Sequence, residues 1–201
     1  MKLVAQGAGP VNAAARMIDA PVYLIDVGLE QDTSDIEGVL TQKVIRGTHF
    51  GHPAMDDEVT AAAISVGMSV GKTLAGQGIE VIGLGNIGER SMLSALAVTT
   101  AIMKEDLKKA SEKTGFALNI SDVGDFAKDP VGTLSIVGSA EIAALFGLVV
   151  EAARCNMMVV FDNAVTGAAV LGAVTAYPEI WNFVIPSVYY EEPVSYTHLR
   201  A

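Results

Sequence analysis

The chain has 201 residues, 51% of them hydrophobic but only 6% aromatic, and a formal net charge of −10. That size and apolar content call for a packed core and exclude a disordered chain. The acidic balance excludes nucleic acid or an anionic membrane as a partner through a general basic field, and the single cysteine, Cys155, excludes an internal disulfide or thiolate metal cluster.

"GPVNAAARMI" places Pro10 where a first helical turn accepts it, so a helix is expected there. "PVYLID" (21–26) is a short apolar run closed by an acid and reads as a buried strand. Residues 27–55 are long and mixed, an excursion expected to lie over the ligand edge of a sheet. His49 and His52 in that excursion are three apart but have no further ligand of matching spacing, so no metal site is expected. "DDEVTAAAISVGMSVGKTLAGQG" opens with acids, ends in glycines and carries an apolar stripe of Val59, Ala62, Ala63, Val66, Val70 and Leu74. Those are the marks of a helix with both termini in place.

"IEVIGLG" (79–85) is the next strand, and "ERSMLSALAVTTAIM" the helix behind it. Residues 104–130 begin with a charged, solvated helical pattern. The helix "EIAALFGLVVEAAR", the strand "MMVVFDN" (157–163), the helix "AVTGAAVLGAVTAY" and the strand "WNFVIPS" (181–187) complete the series. Cys155 follows the first of these helices and reads as a packing thiol. No stretch approaches the roughly twenty apolar residues of a membrane span. No secretory leader is visible, and the setting is expected to be cytoplasmic.

This alternation predicts an α/β fold: a doubly wound, mostly parallel, Rossmann-like sheet with helices on both faces. Ligands of such sheets sit at the carboxyl ends of the strands. The polar groups placed there are Asp26, Gly85 to Glu89, Asp162, Asn163 and Ser187.

Gly83-x-Gly85-x-x-Gly88 lies between a strand and a helix. Glycines let a backbone approach a phosphate, and the helix behind them aims free N–H groups at the anion. A tight turn without ligand has the same sequence. The nicotinamide-dinucleotide version of the motif follows a first strand and needs an acid about twenty positions on, closing the second strand. Here a strand and a long helix precede the motif, and Glu105 and Asp106 open a charged helical segment instead. Asp162 and Asn163 have two readings as well, a substrate-facing pair or the N-cap of the next helix.

Several segments together carry a resemblance. "VNAAAR", "VYLIDVGL", "KVIRGTHFGHPAM", "EVIGLGNIGERSMLSA", "DPVGTLSIVGSAEIAALFGLVVEAAR", "MMVVFDNAVTGAAVL" and "NFVIPSVYYEEP" occur in order across about residues 4 to 193. They resemble the nicotinate-nucleotide–dimethylbenzimidazole phosphoribosyltransferases, which make the lower nucleotide loop of cobalamin. The resemblance implies attack of a benzimidazole nitrogen on the anomeric carbon of nicotinate mononucleotide, loss of nicotinate, and formation of α-ribazole phosphate. It implies small-molecule substrates, no metal or redox cofactor, and a homodimer when complete.

The substrate-binding set it implies is Gly85, Asn86, Ile87, Gly88 and Glu89 in the loop, with Gly138, Asp162 and Asn163. Its catalytic glutamate is expected beyond the end of this chain, so no catalytic residue is assigned and the chain is expected to be inactive alone. Residues 1–193 then form a partial domain, and 194–201 read as a non-native tail. Asn86 stands where the family commonly has an acid, Ser139 where it has a second glycine, and Val188 where it has a histidine. Asn86 and Glu89 favour the alternative of a binding module without turnover. A nicotinamide-dependent oxidoreductase is the third reading.

Overall fold

A computed structural model describes residues 1–47, 53–88, 91–104 and 129–187. The chain opens with two short helices, α1 (Lys2–Ala5) and α2 (Pro10–Met17), as proline at the first turn foretold. Strands β1 (Leu24–Asp26) and β2 (Val39–Thr41) follow, then the helix α3 (Asp57–Gly76) and strand β3 (Val81–Gly83). Helices α4 (Ser91–Met103), α5 (Pro130–Val137) and α6 (Ala140–Arg154) lead to β4 (Met158–Phe161). Helix α7 (Ala164–Ala176), a 3₁₀ turn (Pro178–Phe183) and β5 (Val184–Pro186) close the described chain.

The strands form two parallel sheets, β1-β2 and β3-β4-β5. The α/β, Rossmann-like class is as expected. The pairing of β1 is not: it joins β2, inside the segment expected to be an irregular excursion. Backbone bonds Gln42 N to Asp26 O (2.7 Å), Val44 N to Val27 O (3.0 Å) and Gly47 N to Gly28 O (2.8 Å) prolong that pairing past the strands. In the larger sheet both crossovers step the same way, β3 to β4 and β4 to β5. Ile82, Val159 and Phe161 are buried on one row, while Val81 and Ile185 on the other row are exposed.

The core is built from small and branched residues. Ala63, Val98, Leu134, Ile142, Val149, Met157, Val159 and Val170 are all buried to about 1% exposure or less. Helices α4 and α7 are apolar all round and pack on each other, as a helix without a polar face must. Helix α3 starts at Asp56, whose carboxylate accepts a bond from Val59 N at 2.7 Å.

Helix α3 has 20 residues and an 18-residue stretch of mean hydropathy 1.2, long and apolar enough by length and composition alone to cross a membrane. This corrects the expectation that no stretch comes near such a span. In this fold α3 lies along α6, with Thr60, Ala63, Gly67, Gly71 and Leu74 buried. The crossing is unusually close. A Cβ on Gly67 would stand 1.8 Å from Ala144 O, and one on Gly147 would stand 2.1 Å from Ile64 O. Two glycines, one on each helix, let the backbones meet.

Candidate functional site

Leu84 N donates to Val160 O and Ser187 N donates to Phe161 O, each at 2.8 Å, so both ladders of the larger sheet run one residue past their strands. The carboxyl ends of β3, β4 and β5 therefore lie side by side. The residues next beyond them are Gly85 to Gly88, Asp162 with Asn163, and Ser187. This is the edge the sequence indicated, except for Asp26, which ends β1 in the other sheet.

The glycine loop is open. Among the described residues, no atom beyond the chain neighbours lies within 4 Å of where a Cβ would stand on Gly83 or Gly85. Gly85, Ile87 and Gly88 are exposed and Asn86 is half-buried. None of the N–H groups of Gly85, Asn86, Ile87 and Gly88 has an acceptor among the described residues. A run of free donors at a strand end is a ready anion cradle.

At Gly88 the space beside the backbone is taken by side chains. A Cβ there would meet Ser91 Oγ at 2.2 Å and Glu141 Oε1 at 3.0 Å. Those two groups are themselves joined, Ser91 Oγ donating to Glu141 Oε1 at 2.8 Å. Glu141 thus reaches from the first turn of α6 to Ser91, fifty residues earlier in the chain and just past the glycine loop. In sequence it reads only as a helix-start acid, and the spacing gives no hint of this contact.

Gly138 and Ser139 precede α6. The Gly138 N–H is already used by Leu134 O at 3.0 Å, and a Cβ there would come within 2.5 Å of the same oxygen. Close packing on the last turn of α5 accounts for this glycine. Ser139 caps α6 by position without a side-chain bond to it; the residue is 3% exposed, and its hydroxyl has no partner among the described residues. A Cβ on Gly28, in the loop after β1, would stand 3.6 Å from Ala140 Cβ. The start of α6 is therefore in contact with the β1 loop on one side and reaches Ser91, just past the glycine loop, on the other.

Asn163 is the N-cap of α7: its Oδ1 accepts from Val165 N at 2.9 Å and Thr166 N at 3.1 Å, while Thr166 Oγ1 accepts from Asn163 N at 3.1 Å. Its amide donates to Asp162 Oδ1 at 2.9 Å. The cap engages the Asn163 side-chain oxygen, and the exposed Asp162 carboxylate faces solvent.

Asp26 is buried and belongs to a separate cluster. Its Oδ1 accepts from Gly28 N (3.0 Å) and Leu29 N (2.8 Å), and its Oδ2 from the Thr33 hydroxyl. Lys43 Nζ lies 3.3 Å from Oδ2 and also donates to the carbonyls of Leu29 and Gln31. Burial pushes the Asp26 carboxyl up, but Thr33, the Leu29 and Gly28 amides and Lys43 together outweigh it and hold it below its ordinary value. A cavity of about 210 Å³ lined by Val4, Asn12, Arg16, Val22 and Leu24 shares no residue with the strand ends. Glu89, Arg90, His49, His52 and the region after Ser187 lie outside the described residues.

The phosphoribosyltransferase family model matches residues 1–201. The nicotinate-nucleotide–dimethylbenzimidazole phosphoribosyltransferase of Acetivibrio thermocellus is 29% identical, over 94% of this chain and 58% of its own length. That of Geotalea uraniireducens is 30% identical, over 89% of this chain and 55% of its own. The crystal structure of the Thermus thermophilus enzyme of that name superposes with a TM-score of 0.83 at 23% identity, covering 96% of this chain and 61% of that one. The chain spans a little over half the length of the curated relatives it matches.

Proposed function

The chain belongs to this phosphoribosyltransferase family, and on that premise we propose that it handles nicotinate mononucleotide and a benzimidazole-type base. The reaction joins a base nitrogen to the anomeric carbon while the bond from that carbon to nicotinate breaks. The electron pair of that bond leaves with nicotinate, and the imidazole proton passes to a base. The observation that carries this reading is the run of N–H groups from Gly85 to Gly88, without acceptors among the described residues, at the open end of the three-stranded sheet.

In this reading the nucleotide's phosphate sits on the Gly85, Asn86 and Ile87 amides, away from Glu141. Two unit negative charges about 4 Å apart repel by roughly 4 kcal/mol near a protein surface, so the Gly88 end beside the carboxylate is a poor phosphate seat. Asp162, at the end of the neighbouring strand, faces the sugar or the base. Assembly as a homodimer belongs to the same reading and rests on the family resemblance alone.

The reaction is tested by supplying the chain, completed to the length of its relatives, with nicotinate mononucleotide and dimethylbenzimidazole and following products by mass spectrometry. Nicotinate and α-ribazole phosphate formed in equal amounts support it. Nicotinate mononucleotide neither bound nor consumed refutes it. Saturable binding without product favours the module without turnover, which the asparagine at position 86 already suggests.

A further inference from the structure

We propose that Glu141 selects the sugar: its carboxylate accepts a hydrogen bond from a ribose hydroxyl of the nucleotide whose phosphate the glycine loop holds. This rests on the phosphate reading above and adds a residue to it.

Three observations converge on Glu141. An acid in the first turn of a helix usually serves its own helix end. This one bonds to Ser91 at 2.8 Å instead and stands 3.0 Å from where a Gly88 side chain would begin. Its setting is also that of a held group. Ser91 is 3% exposed, so the bond that fixes Oε1 is shielded from water. Two residues before Glu141, the buried Ser139 hydroxyl has no partner among the described residues. Finally, Glu141 Oε2 has no partner among the described residues, and the residue is only partly covered, so that oxygen is reachable.

The chemistry of the missing partner follows. An ionised carboxylate only accepts hydrogen bonds, so its ligand must bring a donor. It repels phosphate. The donors that a phosphoribosyl group carries next to its phosphate are its ribose hydroxyls. An O–H···O⁻ bond to one of them is charge-assisted and stronger than a neutral pair. Gly88 fits the same picture: any side chain there would fill the space between the loop and the carboxylate.

The test is calorimetric titration of the chain with ribose 5-phosphate, its 2-deoxy and 3-deoxy analogues, and inorganic phosphate. Wild type is expected to bind ribose 5-phosphate about tenfold or more tighter than at least one deoxy analogue, the scale of a hydrogen bond to a charged group. Glu141→Gln keeps the bond from Ser91 but replaces the charged acceptor with a neutral amide donor, and is expected to reduce that discrimination while leaving inorganic phosphate affinity unchanged or improved. Unchanged phosphate binding also shows that the loop has kept its shape. Ser91→Ala, which frees the carboxylate, is expected to weaken the discrimination in part. Discrimination absent from wild type, or undiminished in Glu141→Gln, overturns the assignment of Glu141 alone. Wild type that binds no phosphate overturns the phosphate reading and this proposal with it.

Discussion

Replacing Gly67 by alanine puts a methyl group into the closest backbone approach in the described fold. The new Cβ would stand 1.8 Å from Ala144 O and 2.7 Å from Leu148 N, about 1.6 Å short of the 3.4 Å at which ordinary contact begins. Both obstacles are backbone, so no side-chain rotation relieves them, and α3 and α6 must part. Overpacking typically costs about 1–3 kcal/mol, and a backbone-on-backbone clash belongs at the upper end. Alanine returns about 1 kcal/mol through helix propensity. The expected net loss is therefore about 2 kcal/mol, or roughly 4–8 °C in Tm for a chain of this size. Gly147→Ala, which meets Ile64 O at 2.1 Å, is expected to behave alike. The double variant is expected to lose less than the two losses combined, because helices already parted have room for the second methyl. Gly76→Ala is the control: nothing among the described residues lies within 4 Å of its Cβ position, so it keeps only the propensity gain. Thermal and urea unfolding followed by circular dichroism decide the matter. Gly67→Ala within 0.5 kcal/mol (roughly the scatter of surface substitutions) of Gly76→Ala would refute the close crossing.

Asn163→Ala removes the α7 cap and is expected to cost about 1 kcal/mol in urea unfolding, with nicotinate mononucleotide affinity unchanged; a lost affinity would make Asn163 a ligand group rather than a cap. Asp26→Asn breaks one side of a buried pair and is expected to cost about 3 kcal/mol at neutral pH. Because the folded carboxyl titrates below its ordinary value, its stabilisation is present above about pH 4 and disappears as pH falls through the lowered folded value. The stability gap between wild type and Asp26→Asn should therefore close on acidification, and a gap that widens would contradict the cluster. Gly88→Ala drives a methyl to 2.2 Å from Ser91 Oγ; it should weaken sugar discrimination much as Ser91→Ala does, measured by the same titrations.

The strands at 24–26, 81–83, 158–161 and 184–186 were legible as apolar runs closed by polar or glycine residues, and the helices between them by their periodicity. Strand β2 was not, because Val39, Leu40 and Thr41 are too few to show a period and Leu40 is exposed. Helix α5 was hidden behind the charged segment before it. Asp129 accepting from Gly132 N, followed by Pro130, is nonetheless a legible helix start. Asn163 carried two readings in sequence, and Thr166 three residues on is the partner that makes it a cap. The meeting of Glu141 with Ser91 is a tertiary contact between two helix starts, and no local pattern encodes it. The same holds for Gly67 and Gly147, each of which looks in sequence like a weakness in a helix.

The measurement that bears most directly on the phosphoribosyl-binding site is calorimetric comparison of nicotinate mononucleotide with nicotinate riboside, which lacks the 5′-phosphate, on wild type and on Gly85→Val. A Cβ at Gly85 meets nothing within 4 Å among the described residues, so the variant should fold and only crowd the cradle. The expected result is saturable binding of the nucleotide, binding of the riboside weaker by tenfold or more, and nucleotide affinity in Gly85→Val reduced to that of the riboside. Equal affinities for the nucleotide and the riboside, or nucleotide binding untouched by Gly85→Val, would contradict it.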